Sequence, residues 1–163
     1  MPDSVLRHRS APLRLIALRL AVPELELVAR EATVIEAYRL TIHYHDARHS
    51  DQVATLTRRR NEQTAHLNVA YRKAEKPFAF DFRLPLERVT ALAAGLRQLG
   101  FDGLDDMPNI PWFGADLWLL ERAAGSYHHD LILAPSTATG PYAALAALVS
   151  EQLPQAVRAL PSI

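Results

Sequence analysis

The sequence predicts an α+β fold, with one antiparallel sheet of about five to seven strands and two helices packed on one face. Three observations carry this prediction. Residues 38–45 alternate strictly, with Tyr38, Leu40, Ile42 and Tyr44 against Arg39, Thr41, His43 and His45, the period of a strand with one apolar and one wet face. Three further runs follow it with short polar connections, the pattern of a meander. The period then switches to that of a helix after Pro85 and again after Pro141.

Residues 1–12 are polar, end at Pro12 and read as a flexible tail ahead of a single domain over 13–163. Residues 13–22 are apolar with Arg14 and Arg19 interspersed, a pattern that fits a strand or a short helix. Pro23 opens a short alternating run at 24–28. After the strand that contains Tyr38, residues 46–51 are turn-like and 52–60 form a second strand. Residues 61–63 turn again, and 64–72 form a third strand with Ala65, Leu67, Val69 and Tyr71 on one face. Residues 78–84 alternate as a fourth.

Pro85 suits the first position of a helix, with Glu87 favourable in its first turn. Leu86, Val89, Leu92, Ala93 and Leu96 make its stripe, and Gly100 is a natural left-handed terminator. Residues 116–122 and 126–134 flank Ala123-Ala124-Gly125 and read as a hairpin. Tyr142, Leu145, Leu148, Val149 and Leu153 give the second amphipathic helix, stopped by Pro154.

Composition limits the function classes. The 163 residues are 49% hydrophobic, enough to bury a core, with 18 basic and 18 acidic side chains in balance. Collagen-like, low-complexity and disordered classes are excluded. The absence of cysteine removes disulfides, thiolate metal sites and thiol catalysis. No uncharged apolar run approaches the ~18 residues of a membrane-spanning helix. The default location is cytoplasmic; the alternative is that residues 1–22, with Arg7 and Arg9 ahead of an apolar stretch, are a targeting segment.

No nucleophile elbow, phosphate loop, dinucleotide fingerprint or paired-histidine metallopeptidase helix occurs, so the expectation leans away from an enzyme and includes no cofactor. Three features remain as candidate sites. The first is the run Arg58, Arg59 and Arg60, with Arg72, Lys73 and Lys76 on the next strand end. It fits an acidic protein partner, a phosphate backbone, or a solvated hairpin end that blunts a sheet edge. Nucleic acid is disfavoured by the neutral total charge and the lack of interleaved aromatics.

The second is the loop 101–115, which carries Met107, Ile110, Trp112 and Phe113 and is stiffened by Pro108 and Pro111. A stiff apolar tip is a good contact surface because little entropy is lost on docking. Large rings usually find cover, however, which favours Trp112 and Phe113 as a plug under the sheet. The acidic residues nearby do not follow a calcium-loop spacing. The third feature is His43 and His45 on one strand face, with His128 as a further imidazole. Such a pair can serve zinc, which needs three protein ligands at ~2.0–2.2 Å, or can simply be solvated. A tight turn at 46–52 would place Thr55 opposite His43 and Val53 opposite His45, and His66 about 10 Å away at ~4.8 Å per strand.

The succession 24–28, 34–44, a hairpin, 85–99, then 116–134 and a last short helix resembles small bacterial α+β domains, among them the emfourin-like inhibitors of thermolysin-type metallopeptidases. The resemblance covers roughly residues 24–153 in element order and implies the same fold class and a protein-binding role. Where those inhibitors carry Gly-Gly-Phe-Ala-Gly, this chain reads Arg30-Glu31-Ala32-Thr33-Val34, so no binding residue is carried over.

These observations lead to a soluble, non-catalytic, inhibitor-like module that binds an unidentified protein through Arg58, Arg59, Arg60, Met107, Trp112 and Phe113. The alternative is a metal-dependent hydrolase at His43, His45 and His128, and a weaker one is phosphate or nucleic-acid binding through the three arginines. Edge strands also leave pairing with a second copy of the chain open.

Overall fold

A computed structural model describes residues 2–160, with side chains over 9–160. Helix α1 (Pro2–Arg19) and the short α2 (Leu25–Ala29) precede four strands, β1 (Val34–His43), β2 (Gln52–Arg59), β3 (Thr64–Lys73) and β4 (Lys76–Pro85). Helix α3 (Leu86–Gln98) and a 3₁₀ turn (Phe101–Gly103) lead through a loop to β5 (Leu117–Ala124) and β6 (Tyr127–Leu133), and α4 (Gly140–Gln152) and α5 (Pro154–Val157) finish the chain. The six strands form one sheet in the order β4-β3-β2-β1-β5-β6, antiparallel at every pairing. The predicted α+β antiparallel architecture is therefore observed. Among the described residues, no helix is long and apolar enough to cross a membrane.

The turns explain the tight hairpins. Ala74 and Glu75 both take positive φ, at 48° and 66°, and join β3 to β4 with only two residues between the Lys73–Lys76 pair. Two positive-φ residues match the right-handed twist of the flanking strands. Gly125, at φ 58°, opens the corresponding two-residue turn between β5 and β6. Gly100, at φ 67°, stops the helical stretch as its sequence position predicts.

Side chains divide by strand parity. Tyr38, Leu40, Ala54, Leu56, Leu67 and Leu120 point to one face, where Leu92 and Leu96 of α3 and Val149 of α4 cover them. These are the two helices on one face that the sequence predicts. Gly95 lets them approach closely: a Cβ there would lie 2.6 Å from the terminal methyls of Leu148. The opposite face carries Arg39, Thr41, Thr55 and Glu121, and it is not uniformly wet as the alternation of β1 suggested. Arg39 is 3% exposed, Thr41 1% and Glu121 2%.

The cover on that second face is α1 and α2. Leu13, Ile16, Ala17 and Leu20 fall at i, i+3, i+4 and i+7, and all four are buried. The segment that reads equally as strand or helix is thus a helix, and it begins at Pro2, inside the stretch expected as a tail. Farther down the same face, α2 packs Leu25, Val28 and Ala29 against Ala37 and Ala123, whose small side chains admit it. The β3–β4 part of the face is open to water, where His66 and Asn68 share Asp81.

Candidate functional site

The strand register places the predicted sites at opposite ends of the sheet. Val34 at the start of β1 lies opposite Arg59, whereas His43 at its end lies opposite Leu117. The Arg58–Arg60 end and the loop leading into β5 therefore do not form one surface.

The arginine run is largely occupied. Arg59 Nη1 donates to Thr33 Oγ1 at 2.7 Å, and its Nη2 to Glu31 Oε2 at 2.7 Å. Arg58 lies 4.0 Å from Glu36, and Arg60 is tied by its backbone N–H to the Thr33 carbonyl at 2.8 Å. Arg72 and Lys73 lie at the far end of β3, since Tyr71 pairs with Gln52 and Gln52 with Ile42. The expected basic patch is split between the two ends of the meander.

The histidines are also separated. His43 Nδ1 contacts Asp51 at 3.0 Å, and His45 Nδ1 contacts Asp116 at 2.7 Å, so each imidazole has its own carboxylate. Thr55 lies opposite Arg39 and not His43, because the β1–β2 connection is longer than the tight turn assumed from sequence. His128 pairs with Ala123, and Ala123 with Ala37, six residues down β1 from His43. At a strand rise of 3.2–3.4 Å that is about 20 Å along the sheet, too far for one metal.

The loop has two structurally distinct parts. Its first part is anchored: the Met107 N–H donates to the Ile132 carbonyl at 2.9 Å, and Asp106 Oδ1 accepts from the Ile132 N–H at 2.8 Å. Tyr142 Oη donates to the Asp105 carbonyl at 2.7 Å. Met107 is 7% exposed and belongs to the core, which corrects its assignment as a contact residue; Ile110 also packs against the core. The second part is the tip. Trp112 is 45% exposed and Phe113 96%, so neither ring plugs the sheet. The plug is made by Met107 and Ile110, which leaves the two rings in solvent.

A fourth site comes from cross-strand registry that the sequence reading did not assemble. Asp81, Asn68, Thr55, Arg39, Glu121 and Asp130 are paired successively across all six strands, a polar row perpendicular to the chain. Arg14 of α1 clamps one end of this row. Its Nη1 lies 3.1 Å from Glu121 Oε1, its Nη2 contacts Asp130, and its Nε donates to Ser10 Oγ at 2.9 Å. His128 adds contacts of 3.1 Å to Glu121 and 3.3 Å to Glu26.

The electrostatics follow from these contacts. Burial alone would raise the pKa of Glu121, but the hydrogen bond with His128 and the charges of Arg14 and Arg39 outweigh it and hold the carboxyl below its ordinary value. For Arg14, burial opposes the charge, yet Glu121 and Asp130 more than offset it and raise its pKa. Arg39 goes the other way: burial lowers it, with Glu121 attracting and Arg14 repelling its charge. Among the described residues, ligand atoms of Glu121, His128 and Asp130 lie within 4.8 Å of one another, the spacing a metal ion would need. Arg14 already brings a guanidinium to both carboxylates of that trio.

Beside Arg14 lies a cavity of about 290 Å³ between α1 and the sheet. Ala11, Leu15 and Leu18 line it from α1, and Arg39, Thr41 and Glu121 from the strands. A larger groove of about 500 Å³ near Tyr38 and Arg97 has its main charges matched, with Arg122 bonded to Asp102 at 3.0 and 2.6 Å. The signal that could have revealed the fourth site is Glu121 itself, a carboxylate within the apolar run of β5.

No protein-family model matches the chain, and no curated protein matches its sequence.

Proposed function

We propose that this chain is a non-catalytic protein-binding module whose principal contact is the Trp112–Phe113 tip. The observation that carries the reading is Phe113, 96% exposed between a prolyl-stiffened segment and Gly114. A large ring held in water on an anchored loop loses little entropy when it enters a pocket. The tip presents two aromatic rings, so the partner pocket is apolar. The sequence's resemblance in element order to emfourin-like inhibitors, if it reflects kinship, favours a protein over a nucleic acid as the partner, as do the neutral total charge and the lack of interleaved aromatics.

The test is a photo-crosslinking residue placed at position 113 in cells, with Glu62 at the opposite end of the sheet as the control. A discrete adduct at 113 that is missing at 62 identifies the partner. Phe113→Ala should then weaken the purified complex about 30-fold, the loss expected of a binding hot spot at ~2 kcal/mol. Identical adducts at both positions, or an unchanged affinity in Phe113→Ala, would count against the proposal.

A further inference from the structure

The cavity under α1 contains two buried polar groups that the protein leaves unmatched. Arg39 donates from Nε to Thr55 Oγ1 at 3.1 Å, but its Nη2 has no hydrogen-bond partner, and neither does Thr41 Oγ1. Both residues line the cavity, and both are more than nine-tenths buried. They stand two residues apart on the same strand face, so they address the same space from its floor. A buried donor without an acceptor costs free energy, and more so when it is charged.

The missing group is defined by its chemistry. A guanidinium nitrogen has no acceptor capacity and calls for an oxygen, best an anionic one, while a hydroxyl can donate to the same group. The charge of Arg14 is engaged by Glu121 and Asp130, which leaves Arg39 as the cation with an unmet direction. Only one guanidinium is available, and Glu24 and Glu121 also border the cavity, so a phosphate dianion is disfavoured. The α1 wall is apolar, made of Ala11, Leu15 and Leu18, and the cleft is open to solvent on that side, where Leu18 is exposed. At about 290 Å³ the space lies just below the range of drug-sized ligand pockets, ~300–1,000 Å³.

We propose that this cavity binds a small aliphatic monocarboxylate, its carboxylate on Arg39 Nη2 and Thr41 Oγ1 and its short chain against Leu15 and Leu18 of α1. The site is independent of the loop tip, and its failure would leave the protein-binding reading untouched.

The experiment is a titration of the full chain with acetate, butyrate, hexanoate and 1-hexanol, read by backbone amide shifts. Butyrate or hexanoate should bind saturably and shift amides of residues 11–18 and 39–41, with hexanol at least tenfold weaker. Thr41→Val keeps the shape of the side chain and should weaken hexanoate about tenfold. Ala11→Leu fills the cavity without touching either polar group and should abolish binding. Lack of saturation by any carboxylate at millimolar concentration, equal binding of hexanol, or full affinity in the folded Ala11→Leu variant would each overturn the assignment.

Discussion

Under α3 and α4 the sheet presents Leu40, Leu56, Leu67 and Leu120, while the same strands present Arg39, Thr41, Thr55 and Glu121 to α1 at comparable burial. The first face is held mainly by apolar area, with Gln52 as its buried polar residue, donating to the Ala156 carbonyl at 2.7 Å. The second adds matching charges to the apolar stripe of α1, so one deleted partner leaves another charge poorly matched in the interior. The difference teaches where function can reside. A leucine face is complete once packed, whereas a charged face can be left with unmet donors, as Arg39 and Thr41 are.

Single substitutions sharpen the comparison. Glu121→Ala should cost the most, about 3–5 kcal/mol, because it removes the main counter-charge of the buried Arg39 and one of the two carboxylates on Arg14. Leu67→Ala on the other face should cost about 3 kcal/mol through the cavity it leaves. Chemical denaturation of both variants checks the order. If the Glu121→Ala loss stays within the ~1 kcal/mol typical of a surface ion pair, the charged face is not interior.

A smaller effect concerns pH. The folded Glu121 carboxyl titrates below its ordinary value of 4.5, so below that pH the unfolded chain takes up its proton first. The stabilisation is complete above 4.5 and is lost as pH falls through the folded value. Denaturation midpoints between pH 6 and pH 3 should therefore fall less steeply in Glu121→Gln than in the parent protein. Parallel acid limbs would show that Glu121 makes no special contribution.

What the sequence revealed and what it hid divide along the same line. The leucine face was readable because β1, β3, α3 and α4 each have a clean apolar period. The polar alternation of β1 was equally clear, but its meaning depended on what lay above it. Arg39 looks solvated until α1 is known to cross it, and α1 was obscured by Pro12 and by arginines set among its leucines. In hindsight the positions of Leu13, Ile16, Ala17 and Leu20 spell the helix. The loop was misread: the sequence favoured Trp112 and Phe113 as the plug, because the turn of Met107 into the core depends on a hydrogen bond to β6, remote in sequence, and leaves the two rings exposed. Glu121 and Arg14 come together only through tertiary packing.

The claim that both faces of the sheet are interior can be tested on two adjacent residues of β2. Val53 points beneath α1 and Ala54 beneath α3 and α4, and both are almost fully buried. The chain has no cysteine, so Val53→Cys and Ala54→Cys each give a single thiol whose reaction with a bulky maleimide can be timed against Ser126→Cys in the exposed β5–β6 turn. Both buried thiols should react at least ~100-fold more slowly than the exposed one, since labelling requires local opening. Protection at position 54 with labelling at position 53 as fast as at 126 would contradict the docking of α1 and, with it, the charged interior.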